Sequence, residues 1–87
     1  MNFTAKNIYI LPANKDLLPG KGVVPQGANP IKAVHCIQVP NAEVVIRTTS
    51  DQVVKFPPGA FVQGAIYPYE IRQVNEIGAG CFVGLSD

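Results

Sequence analysis

Few residues in this chain carry reactive chemistry. His35 is its single histidine, and Cys36 and Cys81 are its two cysteines. A thiol activated by an imidazole is a nucleophile. His35 and Cys36 are adjacent, however, and on a strand adjacent side chains point to opposite faces. His35 with Cys81 stays geometrically open, beside the plainer reading of a half-buried histidine and two small buried thiols. As metal ligands the three lack the paired spacing of roughly two to four residues that zinc sites use. Six carboxylates (Asp16, Glu43, Asp51, Glu70, Glu76 and Asp87) are scattered, and no spacing marks a pair as acid and base. Pro19-Gly20-Lys21-Gly22 resembles a phosphate loop but lacks its upstream glycine spacing, its Ser/Thr and a following helix. Gly78-Ala79-Gly80 reads as a turn. The expectation is a non-enzymatic protein with no catalytic residue, cofactor or metal site.

Chemistry of contact is better represented. Tyr67 and Tyr69 share a face beside Pro68, with Arg72 close by, and Tyr and Arg are enriched at interface hot spots. Core tyrosines with satisfied hydroxyls are the alternative. Composition leans the same way. Charged residues are 15% of the 87-residue chain and hydrophobic residues 47%, against about 25% charged in an ordinary globular domain. A small protein has much surface to cover. Either apolar surface stays outside and marks an interface, or Thr, Asn, Gln and Ser cover it. The net charge of +1 without a basic stripe speaks against nucleic acid. No stretch approaches the ~20 apolar residues of a membrane span, and Met1–Lys6 lacks the apolar run of a signal peptide. Cys36 and Cys81 could form one bridge; free buried thiols are expected.

Prolines at 12, 19, 25, 30, 40, 57, 58 and 68 divide the chain and leave no room for a long helix. Residues 1–87 are expected to form one all-β domain, a small antiparallel sandwich or barrel of six to seven strands. Asn7–Leu11 predicts a first strand without a polar face, covered on both sides. Residues 12–30 form a long irregular arm or loop, with a short turn near Asn14–Leu18 and a short strand at Gly22–Pro25 as options. Leu17, Leu18, Val23 and Val24 suggest that it packs down, as an arm ordered by a neighbouring subunit or as a plain surface loop. Ile31–Val39 predicts a second strand. Glu43–Thr49 alternates cleanly, with Val44, Ile46 and Thr48 to one side. A four-residue loop, 49–52, leads to a partner strand whose Val54 and Phe56 face inward. Pro57-Pro58 ends it. Ala60–Ile66 is predicted extended, Pro68 marks an edge or bend, and Cys81–Leu85 forms a last strand.

Residues 42–87 resemble small structural proteins encoded beside the capsid genes of tailed bacteriophages, related to head-spike bases of gene transfer agents. The resemblance lies in Val44-Val45-Ile46-Arg47-Thr48-Thr49, Val54-Lys55-Phe56, Pro58-Gly59-Ala60, Tyr67-Pro68-Tyr69-Glu70-Ile71-Arg72, Gly78-Ala79-Gly80 and Phe82-Val83-Gly84-Leu85. Gly22-Val23-Val24-Pro25-Gln26 resembles a proline-ended segment near that family's N-terminus. Three departures stand out: Ser50-Asp51 where a glycine is common, no threonine around Gly78–Gly80, and an end without an aromatic residue. The resemblance implies a virion structural protein, made in the host cytoplasm and placed on the head surface as decoration, cement or spike base. It implies a trimer or pentamer seated on the major capsid or another virion protein. The interface residues expected from the apolar strands, the arm and the tyrosines are Ile8, Tyr9, Ile10, Leu17, Leu18, Val23, Val24, Tyr67, Tyr69 and Arg72. The alternative is a small β-barrel module binding peptide or carbohydrate on Tyr67, Tyr69 and Phe82.

Overall fold

In a computed structural model the described residues are 4–87, and the first three residues of the Met1–Lys6 stretch lie outside them. Over these residues the chain is all-β with one short helix. Strands β1 (Asn7–Ile10), β2 (Ala33–Cys36), β3 (Val44–Thr48), β4 (Val53–Phe56), β5 (Ile66–Tyr67), β6 (Ile71–Val74) and β7 (Phe82–Ser86) alternate with a 3-10 turn at Pro58–Ala60 and helix α1 (Glu76–Cys81). They form two antiparallel sheets, one ordered β1-β7-β2-β5 and the other β4-β3-β6. No described helix is long and apolar enough to cross a membrane.

The core lies between the sheets. Val34, Cys36 and Phe82 enter it from the four-stranded sheet; Val44, Ile46, Ile71 and Val74 enter from the three-stranded one. The strand alternation of residues 43–56 is realised as the sequence predicts. Val44 and Ile46 are buried, Val54 and Phe56 half-buried, and Val53 and Lys55 exposed. The loop is Thr49–Gln52, where the Asp51 N–H donates to the Thr48 carbonyl at 2.9 Å and Asp51 takes φ 66°. Asp tolerates this left-handed conformation better than most residues, so the turn closes without glycine.

Two devices close the open sides of the sandwich. On one side the arm between β1 and β2 crosses from the four-stranded sheet to the free edge of β6. There the Asn14 N–H donates to the Val74 carbonyl and the Leu17 N–H to the Arg72 carbonyl, both at 2.8 Å. Leu11, Leu17, Val24 and Ile31 drop from the arm into the core and are fully buried. Each such side chain stabilises by about 1.5–3 kcal/mol. The other side is closed by rings: Phe61 lies 5.0 Å from Phe56, 5.0 Å from Tyr67 and 4.7 Å from Phe82, and Tyr69 stacks on Phe56 and Tyr67.

Several expectations are corrected. Gly78-Ala79-Gly80 lies within α1 rather than a turn; Asn75 caps the helix, its side chain accepting from the Gly78 N–H. Gly22–Pro25 forms no strand, because φ 107° at Gly22 bends the chain. The Asn14–Leu18 segment holds no helical turn; Asn14 itself is left-handed at φ 58°. Ala60–Ile66 is not extended throughout: it holds the end of the 3-10 turn and a bend where Gly64 has φ 88°. The second strand covers Ala33–Cys36, not Ile31–Val39, since Ile31 turns inward to plug the core. β1 is an edge strand with one face open, not a strand covered on both sides.

Close packing of the arm on β7 is felt at Gly84, where a Cβ would sit 2.8 Å from Ile31 Cδ1 and 3.1 Å from Leu11 Cδ2. Overpacking of this kind costs about 1–3 kcal/mol, and truncating a buried leucine about 2–5 kcal/mol. Gly84→Ala and Leu17→Ala are both expected to destabilise within these ranges, read as a lowered urea midpoint by circular dichroism. The exposed Lys15→Ala serves as a control that leaves the midpoint in place.

Candidate interaction surface

The two sheets present different outer faces. On the three-stranded sheet Val45, Arg47, Val53, Lys55 and Gln73 point outward, a mixed and largely polar surface. Charges cluster at its margin: Arg72 lies 3.0 Å from Asp51 and 3.7 Å from Asp16, and Arg47 lies 3.6 Å from Asp51. This network ties arm, hairpin loop and β6 together. Each exposed pair adds at most about 1 kcal/mol.

On the four-stranded sheet the outward positions follow from register. Ile10 is opposite Val83, Val83 opposite His35, and His35 opposite Ile66, which makes one row across all four strands. A second row runs from Ile8 through Leu85 to Ala33, of which Ile8 alone is open, Leu85 and Ala33 being buried. Ile37 continues the alternation just past β2, its N–H bonded to the Cys81 carbonyl. Ile8 is 67% exposed, Ile10 78%, Ile37 49% and Ile66 40%. Such side chains on one sheet face make a contiguous apolar patch, and patches of this kind mark contact sites. His35 is the one titratable group in the row.

The structure sorts the residues expected at an interface. Ile8 and Ile10 stand on this patch. Tyr9, between them, points to the other side and packs half-buried against the core. Leu17 and Val24 are 1% and 0% exposed in the core of their own chain and offer a partner no surface. Leu18 and Val23 are half-buried on the arm. Tyr67 and Tyr69 belong to the aromatic closure, and the Tyr67 hydroxyl accepts from the Val62 N–H at 2.7 Å. Arg72 is engaged by two carboxylates of its own chain. Ile37 and Ile66 were missed by sequence reasoning. Their signal was alternation with Ala33 and His35 on β2 and the pairing of a two-residue strand, which has no sequence period.

The chemistry of nucleophiles fares differently. Cys36 and Cys81 are free thiols in the core, while His35 sits on the opposite, outward side of the sheet. Burial pushes both thiols up, and at Cys36 the backbone of Gln38 partly opposes this. The Cys36 Sγ–H itself donates to the Gln38 carbonyl at 3.3 Å. Among the described residues no three His, Cys, Asp or Glu side chains gather as a metal site. A shallow polar depression lies by Tyr69, lined by Thr48, Thr49, Ser50 and Glu70. It holds no converging acid and base. Comparison with protein-family models, curated proteins and solved structures finds no match.

The raised thiols yield a check. Maleimide labelling at neutral pH is expected to be slow in the native protein and at least ten-fold faster in denaturant. A thiol whose folded pKa lies above its unfolded value leaves stability intact below the unfolded pKa, and stability falls as pH rises beyond it. A denaturant midpoint that is flat to roughly pH 8.5 and declines above it is therefore expected.

Proposed function

We propose that this protein is a non-enzymatic structural unit that associates with copies of itself. With the resemblance of residues 42–87 as guide, its setting is the head of a tailed bacteriophage. There it serves as decoration, cement or spike base, in a three- or five-fold ring seated on the major capsid or another virion protein. The observation that carries the self-association is the asymmetry of the two outer faces, one polar and ion-paired, the other lined by Ile8, Ile10, Ile37 and Ile66. Closed rings follow from identical chains repeating one contact. A specific contact buries about 800 Å² per partner, roughly a sixth of the 5001 Å² surface of this chain. Full burial of each isoleucine contributes about 1.5–3 kcal/mol before the cost of association.

A small-ligand module built on Tyr67, Tyr69 and Phe82 is less favoured. Phe82 is 1% exposed and cannot stack on a ligand, and the Tyr67 ring is held edge-on by Phe61.

Analytical ultracentrifugation tests this reading. The wild-type chain is expected to sediment as an oligomer at high micromolar concentration. Ile66→Lys with Ile37→Lys is expected to weaken association at least ten-fold with the thermal midpoint unchanged. A wild-type chain that remains monomeric throughout overturns it.

A further inference from the structure

Every sheet edge in a protein is a template for another strand unless something blocks it. Three of the four edges here are blocked. The β6 edge is taken by the arm through Asn14 and Leu17. β4 carries Lys55 and runs directly into Pro57-Pro58, and β5 is two residues long and runs into Pro68. β1 has neither proline nor charge within Asn7–Ile10, and among the described residues nothing bonds to its outer edge.

The hydrogen-bond phase shows which groups that edge offers. The Ile37 N–H bonds the Cys81 carbonyl, in register with the pairing of His35 to Val83. Antiparallel pairs alternate between bonded and non-bonded, so Val83 and Leu85 bond toward β2, and Gly84 and Ser86 bond toward β1. Tyr9 and Asn7 are then the bonded partners on β1. Ile8 and Ile10 turn their N–H and C=O groups outward. Lys6 is already used, donating to the Ser86 carbonyl at 2.9 Å, and Pro12 has no N–H.

We infer that β1 pairs antiparallel with β1 of a second copy about a two-fold axis at Tyr9, Ile8 of each chain bonded to Ile10 of the other. This register uses all the free donors and acceptors of both edges. A shift to either side would set an isoleucine against Lys6, whose donor is taken, or against Pro12, which has none. The edge is thus its own complement, which is what an isologous contact requires. No like charges meet: Lys6 lies across from Pro12 of the second chain. The four isoleucines fall side by side on the outer face, and two four-stranded sheets become one of eight strands with a continuous apolar face. The partner is a second copy of this chain. The inference rests on the self-association proposed above and adds its junction; a two-fold contact alone closes a dimer, and within a ring assembly it joins subunits of neighbouring rings. A contact this small belongs to the weak, concentration-dependent class.

Hydrogen exchange resolved by residue, measured from micromolar to millimolar concentration, reads the pairing in the unaltered chain. The Ile8 and Ile10 amides are expected to slow at least ten-fold as concentration rises, while the Tyr9 amide, bonded within the sheet, changes little. Tyr9→Cys under a mild oxidant is expected to give a disulfide-linked dimer. Non-bonded antiparallel pairs bring Cα atoms to about 4.5 Å, within the roughly 4.4–6.8 Å a disulfide accepts. Asn7→Cys, which faces Leu11 of the second chain, is expected to remain monomeric under the same oxidant, as is the wild type with its buried thiols. Ile10→Lys is expected to weaken dimerisation at least ten-fold. If scattering shows association while the Ile8 and Ile10 amides exchange unchanged, β1 is not the junction, although self-association stands. If no concentration gives association, both proposals fall.

Discussion

Two short sheets, one of four strands and one of three, do not by themselves enclose a core. What joins them is the crossing of the arm onto β6. Backbone in an irregular segment must place its N–H and C=O groups somewhere, and here two of those amides complete the edge of a sheet other than the one the arm leaves. Leu11, Leu17, Val24 and Ile31 then fill the gap from the same segment. The bonds fix where the arm lies and the side chains fix how deep. The absence of a Cβ at Gly84 lets Leu11 and Ile31 approach the central strand closely enough for both to hold.

That arrangement dictates how the scarce charge is distributed. Arg47, Arg72, Asp16 and Asp51 gather where arm, hairpin and β6 meet, and Lys32 and Asp87 pair at 2.6 Å near the start of β2. Between these clusters the four-stranded sheet turns outward with isoleucine, valine and one histidine. A chain with 15% charged residues gathers its ion pairs at the margins of its sandwich and leaves the outer face of the four-stranded sheet apolar.

Much of this was legible in the residues, and the rest was hidden for identifiable reasons. The hairpin over 44–56 was readable because alternation and two prolines agree on strand, loop and end. The order of the sheets was not, since β5 has two residues and no period of its own. α1 was obscured by Gly78 and Gly80, each unfavourable in a helix by about 1 kcal/mol, although Asn75 followed by Glu76 carries a helix-start signal that could have marked it. Leu17 and Val24 were correctly read as packing down, but an irregular segment has no periodicity to say against what, so they were assigned to a partner rather than to the core. Ile8 and Ile10 were recognised as apolar beyond the needs of one face; that β1 is an edge depends on β7, more than seventy residues later in the chain.

The place of β7 carries a consequence for how the molecule comes into being. The three-stranded sheet draws on residues 44–74 and can assemble from neighbouring segments. The four-stranded sheet can start from β2 and β5 but cannot take in β1 until Phe82–Ser86 exist, because that strand separates β1 from β2 and among the described residues no other strand bonds to β1. During synthesis the arm can settle on β6 once residues 71–74 exist, but the first strand waits, unsheltered, until β7 follows. Closure of loops that long is slow, and the nascent chain spends the interval with an uncharged, isoleucine-bearing segment open to whatever it meets first.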